Sequence, residues 1–165
     1  MKKLISLVLL TQLIACKKDM EYQDFTSEQG WFTMKIPPNW SEYDDEEGTY
    51  AFFDTSHWTG NFRVTPLKID GPDNSDSLKN YIDDDYNKNK DLNPVRSKVN
   101  DFNCVSYSKR IDQDGDKQTL YYWVLGKPGF IFICTYTVDT KNEDTADNKA
   151  ELSKVEKIIN SLKTK

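Results

Sequence analysis

His57, the one histidine of the chain, stands beside Ser56 in the run Asp54-Thr55-Ser56-His57-Trp58-Thr59-Gly60-Asn61. A Ser-His-Asp relay would have to be built on it, because the imidazole is the base that takes the serine proton. No serine here sits between the glycines of a nucleophile elbow, so the run reads as a polar connection between strands. Its histidine is then solvated or bonded to its neighbours. Asp112-Gln113-Asp114-Gly115-Asp116 crowds three carboxylates around a glycine, the density that a calcium loop uses. Such a loop closes on a glutamate at its twelfth position. Lys117 to Leu120 follow here as continuing strand, so a solvated hairpin turn is expected, with weak calcium binding by Asp112, Asp114 and Asp116 as the lesser reading. The acidic run Asp44-Asp45-Glu46-Glu47 has the same two readings. One histidine and two separated cysteines give no zinc spacing. The acids fall in turns and on helix faces, whereas glycoside hydrolysis needs two carboxyls facing across a cleft. With no phosphate loop and no dinucleotide fingerprint, the expectation is a protein that is not an enzyme and carries no cofactor.

The chain has four Trp, nine Tyr and eight Phe, and most fit core slots in expected strands, as Phe52, Tyr122, Phe130 and Phe132 do. Trp58 differs, because Gly60 and Asn61 place it at a loop tip, where an exposed indole is costly unless it packs or binds. Trp58 with His57 and Tyr50 forms the candidate contact patch; the competing reading folds the indole back over the sheet edge.

The elements that must position these residues are legible in the hydrophobic pattern. Gly30 to Ile36 alternates as a half-buried strand, and Pro37-Pro38-Asn39 ends it, since proline cannot donate to a ladder. Trp40 then covers the sheet end. Thr49 to Phe53 is a second strand. Phe62 to Ile69 is a third, which Pro66 assigns to an edge or a bulge; Arg63, Pro66 and Lys68 would discourage pairing along that edge. Ser75 or Asp76 can cap a helix that runs to about Asn89. Leu78, Tyr81, Ile82 and Tyr86 share one face of it, and Asp83 to Asp85 lie mainly outside that face.

Val99 to Ile111, Lys117 to Gly126 and Gly129 to Val138 follow as three strands, punctuated by Asp114-Gly115 and Pro128-Gly129. Leu120 to Leu125 is apolar on both alternating faces and needs cover on both sides, at least one of them helical. A last helix, about Thr145 to Leu162, carries Leu152, Val155, Ile159 and Leu162 at helical spacing, with Ile158 beside them. The sum is an α+β fold, an antiparallel sheet of five or six strands with at least two packed helices. Cys104 and Cys134 fall on strands separated by a third. Two steps of about 4.8 Å exceed a disulfide's Cα separation, which favours buried free thiols.

Met1, Lys2 and Lys3 precede the apolar stretch Leu4 to Leu10, with Leu13 and Ile14. The stretch is of signal-peptide length and shorter than the roughly 20 residues that span a bilayer. It ends in Leu13-Ile14-Ala15-Cys16, which resembles the lipobox of bacterial lipoproteins. The resemblance implies that Leu13 and Ala15 serve signal-peptidase recognition and that Cys16 carries the lipid. Residues 1–15 are then a leader, residues 16–29 the lipidated cysteine and a polar tether, and residues 30–163 one domain. Two or three acyl chains anchor firmly where one binds reversibly. Lys17-Lys18-Asp19-Met20-Glu21 is unlike the inner-membrane retention signal of enteric bacteria and partly resembles the surface-export signal of Bacteroidetes lipoproteins. The expectation is an exported protein anchored to the outer membrane, with the periplasmic and cell-surface faces both open. The formal net charge is −5, and loss of Lys2 and Lys3 with the leader makes the mature chain more acidic. That balance argues against nucleic acid as a partner.

Trp31-Phe32-Thr33-Met34-Lys35-Ile36-Pro37-Pro38-Asn39-Trp40, followed by strands, a helix, a three-strand meander and a terminal helix, resembles the PsbP-like domains. These include exported bacterial lipoproteins of unknown function, Bacteroidetes envelope proteins among them. Trp31, Phe32, Pro37, Pro38 and Trp40 match as structural residues; the resemblance implies the fold and leaves the activity open. The expected function is a non-enzymatic envelope lipoprotein, a monomer, that binds a protein or small ligand through loops at one end of the sheet. The alternatives are an immunity or protective lipoprotein that neutralises a periplasmic toxin, for which an acidic surface suits a cationic target, and a weak metal-dependent or hydrolytic enzyme.

Overall fold

Large apolar residues alternate with polar ones along Phe32–Ile36 and Gly60–Lys68, and in both strands the apolar set is the buried one. The computed structural model describes residues 21–45, 48–69 and 74–165. In chain order the elements are β1 (Gln23–Thr26), β2 (Phe32–Ile36), β3 (Trp40–Tyr43), β4 (Tyr50–Asp54), β5 (Gly60–Lys68), α1 (Asn74–Lys88), β6 (Val95–Val99), β7 (Phe102–Gln113), β8 (Asp116–Lys127), β9 (Phe130–Asp139), α2 (Ala146–Ser161) and β10 (Lys163–Thr164). Seven strands form one antiparallel sheet in the order β3-β4-β5-β9-β8-β7-β6, and β1-β2-β10 form a second.

The pleat sends alternate residues to opposite faces, and each face has its own cover. Cys104, Leu125, Phe132 and Cys134 look toward α2 and the small sheet, where Phe32, Met34, Val155, Ile158 and Leu162 complete the main core. Their sequence neighbours Val105, Val124 and Ile131 look the other way and meet Leu78 and Ile82 of α1. Phe32 and Phe132 meet edge-on at 5.2 Å between centroids, a favoured aromatic geometry. Thr145 caps α2 by accepting from the Asn148 N–H at 3.2 Å. At the other end the Asn100 side chain donates to the carbonyls of Asn160 and Leu162.

The α+β class, the two packed helices and both hairpin turns agree with the sequence reading. Asp114 (φ 56°) and Gly115 (φ 93°) make the two-residue turn between β7 and β8, both in the left-handed region that a type I′ turn requires. The strand number differs, at ten among the described residues against five or six expected. The expected tether contains β1, whose Phe25 pairs with Met34, and the Ser27 hydroxyl accepts from the N–H groups of Trp31 and Phe32. Polar residues on both faces of β1 hide it from any alternation test. The expected strand beginning at Val99 breaks at Asn100 (φ 54°), which turns β6 into β7. The expected edge at Phe62 to Leu67 is interior, because β5 lies between β4 and β9. Pro66 falls past Val64, the last residue of β5 that β4 pairs, so its missing donor meets a locally open flank.

Candidate functional site

Strand β4 ends on Asp54 and β5 begins at Gly60, so residues 55–59 must reverse the chain at the end of the sheet. Asp54 organises the reversal. Only 1% exposed, its Oδ1 accepts from the Ser56 N–H at 2.9 Å, the Ser56 hydroxyl at 2.6 Å, the His57 N–H at 3.1 Å and the Asn39 amide at 2.7 Å. A short acidic side chain bonded to the backbone two and three residues on is the local device that makes an Asx turn. Its Oδ2 takes the Lys154 ammonium of α2 at 2.8 Å. Burial alone would raise the carboxyl, but the hydrogen bonds from Lys154 and Ser56 outweigh it and hold Asp54 well below the usual carboxylate range.

The far end of the loop is fastened to the same helix. The Thr59 hydroxyl donates to Oε2 of Glu151 and lies 3.2 Å from the Tyr136 hydroxyl, which donates to Asn148 Oδ1 at 3.0 Å. Glu151 is 3% exposed, and its Oε1 finds no partner among the described residues. Burial raises its pKa in spite of the bond from Thr59, and the neighbouring Asp54 charge adds to the rise. Gly60 is what lets these groups meet, because a Cβ there would stand 2.6 Å from the Tyr136 hydroxyl and 2.5 Å from the Thr137 carbonyl.

Between these two fastenings the loop presents Trp58, 70% exposed, the most exposed of the large apolar side chains described. The indole does not fold down over the sheet edge. Phe53 meets it edge-on at 6.0 Å, and its Nε1 donates to Asn61 Oδ1 at 3.1 Å. Beside it lies a cleft of about 280 Å³, walled by residues 58–61, by Asp116 to Gln118 at the start of β8 and by Thr137 to Asp139 at the end of β9.

His57 shares the loop and sends its Nε2 to Asp147 Oδ2 of α2 at 3.2 Å, both side chains exposed. Ser56 donates to Asp54, so the serine and the histidine engage different carboxylates. Tyr50 does not join the patch. It begins β4, at the opposite end from Asp54, and only 6% of it is exposed. Its hydroxyl donates to Gln29 and accepts from the Glu28 N–H at 3.2 Å, and its ring packs on Phe25 and Phe32. A five-residue strand sets its two ends more than 10 Å apart, so membership of the same strand separated Tyr50 from Trp58.

Asp112 accepts from the Gly115 N–H at 3.0 Å and so fixes the hairpin turn. Among the described residues no three His, Cys, Asp or Glu side chains converge as a metal site. Cys104 and Cys134 are buried free thiols on β7 and β9, with β8 between them, and burial raises both. Leu13, Ala15 and Cys16 lie outside the described residues, as do Glu46 and Glu47 of the acidic turn. Among the described residues no helix is long and apolar enough to cross a membrane.

Sequence reasoning missed Asp54, Lys154, Glu151, Asn148 and Tyr136. One signal was present: Asn148 and Glu151 occupy slots on the apolar face of α2, in register with Val155 and Ile158. Polar residues in such slots need partners, and these find them on the loop.

An antiparallel sheet with a helix on each face, carrying an exposed indole on a loop fastened at both ends, defines the class as an α+β domain. The chain belongs to the family described as "Domain of unknown function (DUF3805)", which matches residues 20–165. A crystal structure of a protein from Bacteroides thetaiotaomicron is similar, with 25% identity and a TM-score of 0.67 over 86% of this chain. This chain spans about half of that protein, covering 48% of its length. LpqN of Mycobacterium tuberculosis, described as involved in cell envelope biogenesis, shares the fold at 7% identity and a TM-score of 0.58, over 87% of this chain and 90% of its own. The solution structure of cyanobacterial PsbP from Synechocystis matches at 12% identity and a TM-score of 0.44, over 93% of this chain and 99% of its own. No curated protein sequence matches this one.

Proposed function

We propose that the chain is an exported, lipid-anchored envelope protein, not an enzyme, that binds a protein or small ligand at the loop end of its sheet. The observation that carries the reading is Trp58. Exposing an indole forgoes on the order of 2 kcal/mol of burial, and here the ring is held out by Phe53 and Asn61 on a loop fastened through Asp54 and Thr59. An aromatic held rigid beside a cleft loses little freedom on binding, which is the property of an interface anchor. Ser56 and His57 serve the loop and the helix, a use that supports binding over catalysis. The lipobox-like Leu13-Ile14-Ala15-Cys16 supports lipid on Cys16, an anchor that would keep the loop within reach of envelope partners. The involvement of LpqN, which shares the fold, in cell envelope biogenesis supports the same reading.

Affinity capture from detergent-solubilised envelope, with the wild type and Trp58→Ala side by side, tests the reading. A partner recovered by the wild type and lost with the indole is the expected result. Equal recovery by the two chains, with both shown folded by circular dichroism, removes Trp58 as the anchor. Metabolic labelling with an alkynyl fatty acid tests the anchor separately, and label that survives Cys16→Ser refutes it.

A further inference from the structure

Strand β8 is apolar on both faces, and neither is wholly covered, since Leu120, Tyr121, Tyr122 and Trp123 are all half-buried. Helix α1 closes over Val105 and Val124. On the other face α2 packs chiefly against β2, β5 and β9. Tyr121 and Trp123 of β8 are left half-buried at the margin of the main core, their rings within 24° of parallel and 6.4 Å apart. Beside them β7 carries Ser106 and Ser108, where large residues would have filled the space.

The result is a groove made of two adjoining hollows of about 370 and 380 Å³, which share Leu92, Ser108 and Tyr121. Leu152 and Glu156 of α2 wall the first hollow, and Glu143 and Asp144 wall the second. Together they exceed the cleft beside Trp58 and reach the size of a small-molecule site.

The chemistry of the walls selects the occupant. An anion is disfavoured, because the carboxylates of Glu143, Asp144 and Glu156 rim the groove and its two cations are engaged, Arg110 with Glu143 and Lys109 over the Tyr122 ring. A lipid tail or an apolar helix would press on the Ser106 and Ser108 hydroxyls and the Glu156 carboxylate without offering them partners, which is costly. A neutral, hydroxyl-rich chain meets both sets of groups. The C–H face of a pyranose ring packs on an aromatic face, and its hydroxyls donate to carboxylates and exchange hydrogen bonds with serines. Two adjoining hollows, with two aromatic rings along one strand, take more than one sugar unit. We infer that the groove between α2 and β6–β7, floored by Tyr121, Trp123, Ser106 and Ser108, is a binding site for a neutral oligosaccharide. It is separate from the loop at Trp58 and does not depend on what that loop binds.

The test is calorimetric titration of the full chain with uncharged hexasaccharides of glucose, mannose, galactose and xylose, and with hexagalacturonate as the charged control. The expected result is binding of at least one neutral probe. Affinity should fall about tenfold or more, equivalent to about 1.4 kcal/mol, in Trp123→Ala and again in Ser108→Leu, and stay unchanged in Trp58→Ala. Ser108 is exposed at the groove floor, so leucine there fills the hollow without entering the core, and this variant decides the matter if Trp123→Ala does not fold. Absence of binding by every neutral probe, binding of hexagalacturonate alone, or equal affinity in wild type and Ser108→Leu overturns the assignment.

Discussion

Replacing Lys154 by methionine keeps the length of the side chain and removes the ammonium that sits 2.8 Å from the buried Asp54 carboxylate. Breaking a fully buried ion pair costs about 3–5 kcal/mol, because the surviving charge is stranded. Two features reduce that here. Lys154 is 26% exposed, so water reaches the site, and Asp54 keeps the donors of Asn39, Ser56 and His57. What remains is the loss of one charged hydrogen bond, about 2 kcal/mol, which for a domain of this size lowers Tm by about 4–8 °C. The loss carries a pH signature. Asp54 has its pKa depressed in the folded state, so the stability it contributes is complete above the unfolded value of about 4 and declines as pH falls below it. Lys154→Met weakens that depression. The gap between wild type and variant should therefore be widest and flat from about pH 5 to 7 and narrow toward pH 3. Urea titrations followed by tryptophan fluorescence at each pH measure it. A variant within about 0.5 kcal/mol of wild type at pH 7, or a gap that widens toward acid, would refute the account of Asp54 as a lysine-paired anchor for the loop.

Glu151 carries the opposite sign. Its folded pKa is raised by burial, so its contribution is greatest below the unfolded value of about 4.5 and is lost as pH rises through the folded value. Glu151→Gln should thus melt above the wild type at pH 8 and approach it at pH 4; melting scans in which the glutamine variant is the weaker at pH 8 contradict this. Cys104 and Cys134 lie in the core with their pKa values raised by burial, so a disulfide reagent should react with both only after denaturant is added, because the thiolate is the nucleophile. Colour development at the unfolded-thiol rate in native buffer would place them outside the core.

The α+β layout was legible because its carriers are long and strongly patterned. The alternation of Phe32, Met34 and Ile36, the helical spacing of Val155 and Ile159, and the turn chemistry of Asp114-Gly115 and Pro128-Gly129 each act within a few residues, where sequence encodes geometry directly. Trp58 was legible as a loop-tip residue for the same reason, since its loop is marked by polar neighbours on both sides, but whether its indole stands out or folds back was not. Strands β1, β3 and β10 were not, because two to four residues give no period, and such strands exist only by pairing with a partner distant in the chain. Tyr50 reads from sequence as near Trp58, yet the rise of one strand carries it to the other end of the sheet.

By itself, then, the sequence determined which residues are apolar, where the chain turns and how its amino terminus resembles a lipobox. The tertiary structure decided what covers each face. Pattern gives β8 two apolar faces but does not say that α2 packs chiefly against β2, β5 and β9 and leaves Tyr121 and Trp123 half-buried. It shows Asn148 and Glu151 among apolar slots without naming Tyr136 and Thr59 as their partners. Periodicity is a local property of the chain. Cover is settled by long-range packing, where helix placement and the closing of distant strands select which side chains are buried, which are paired and which are left facing a groove.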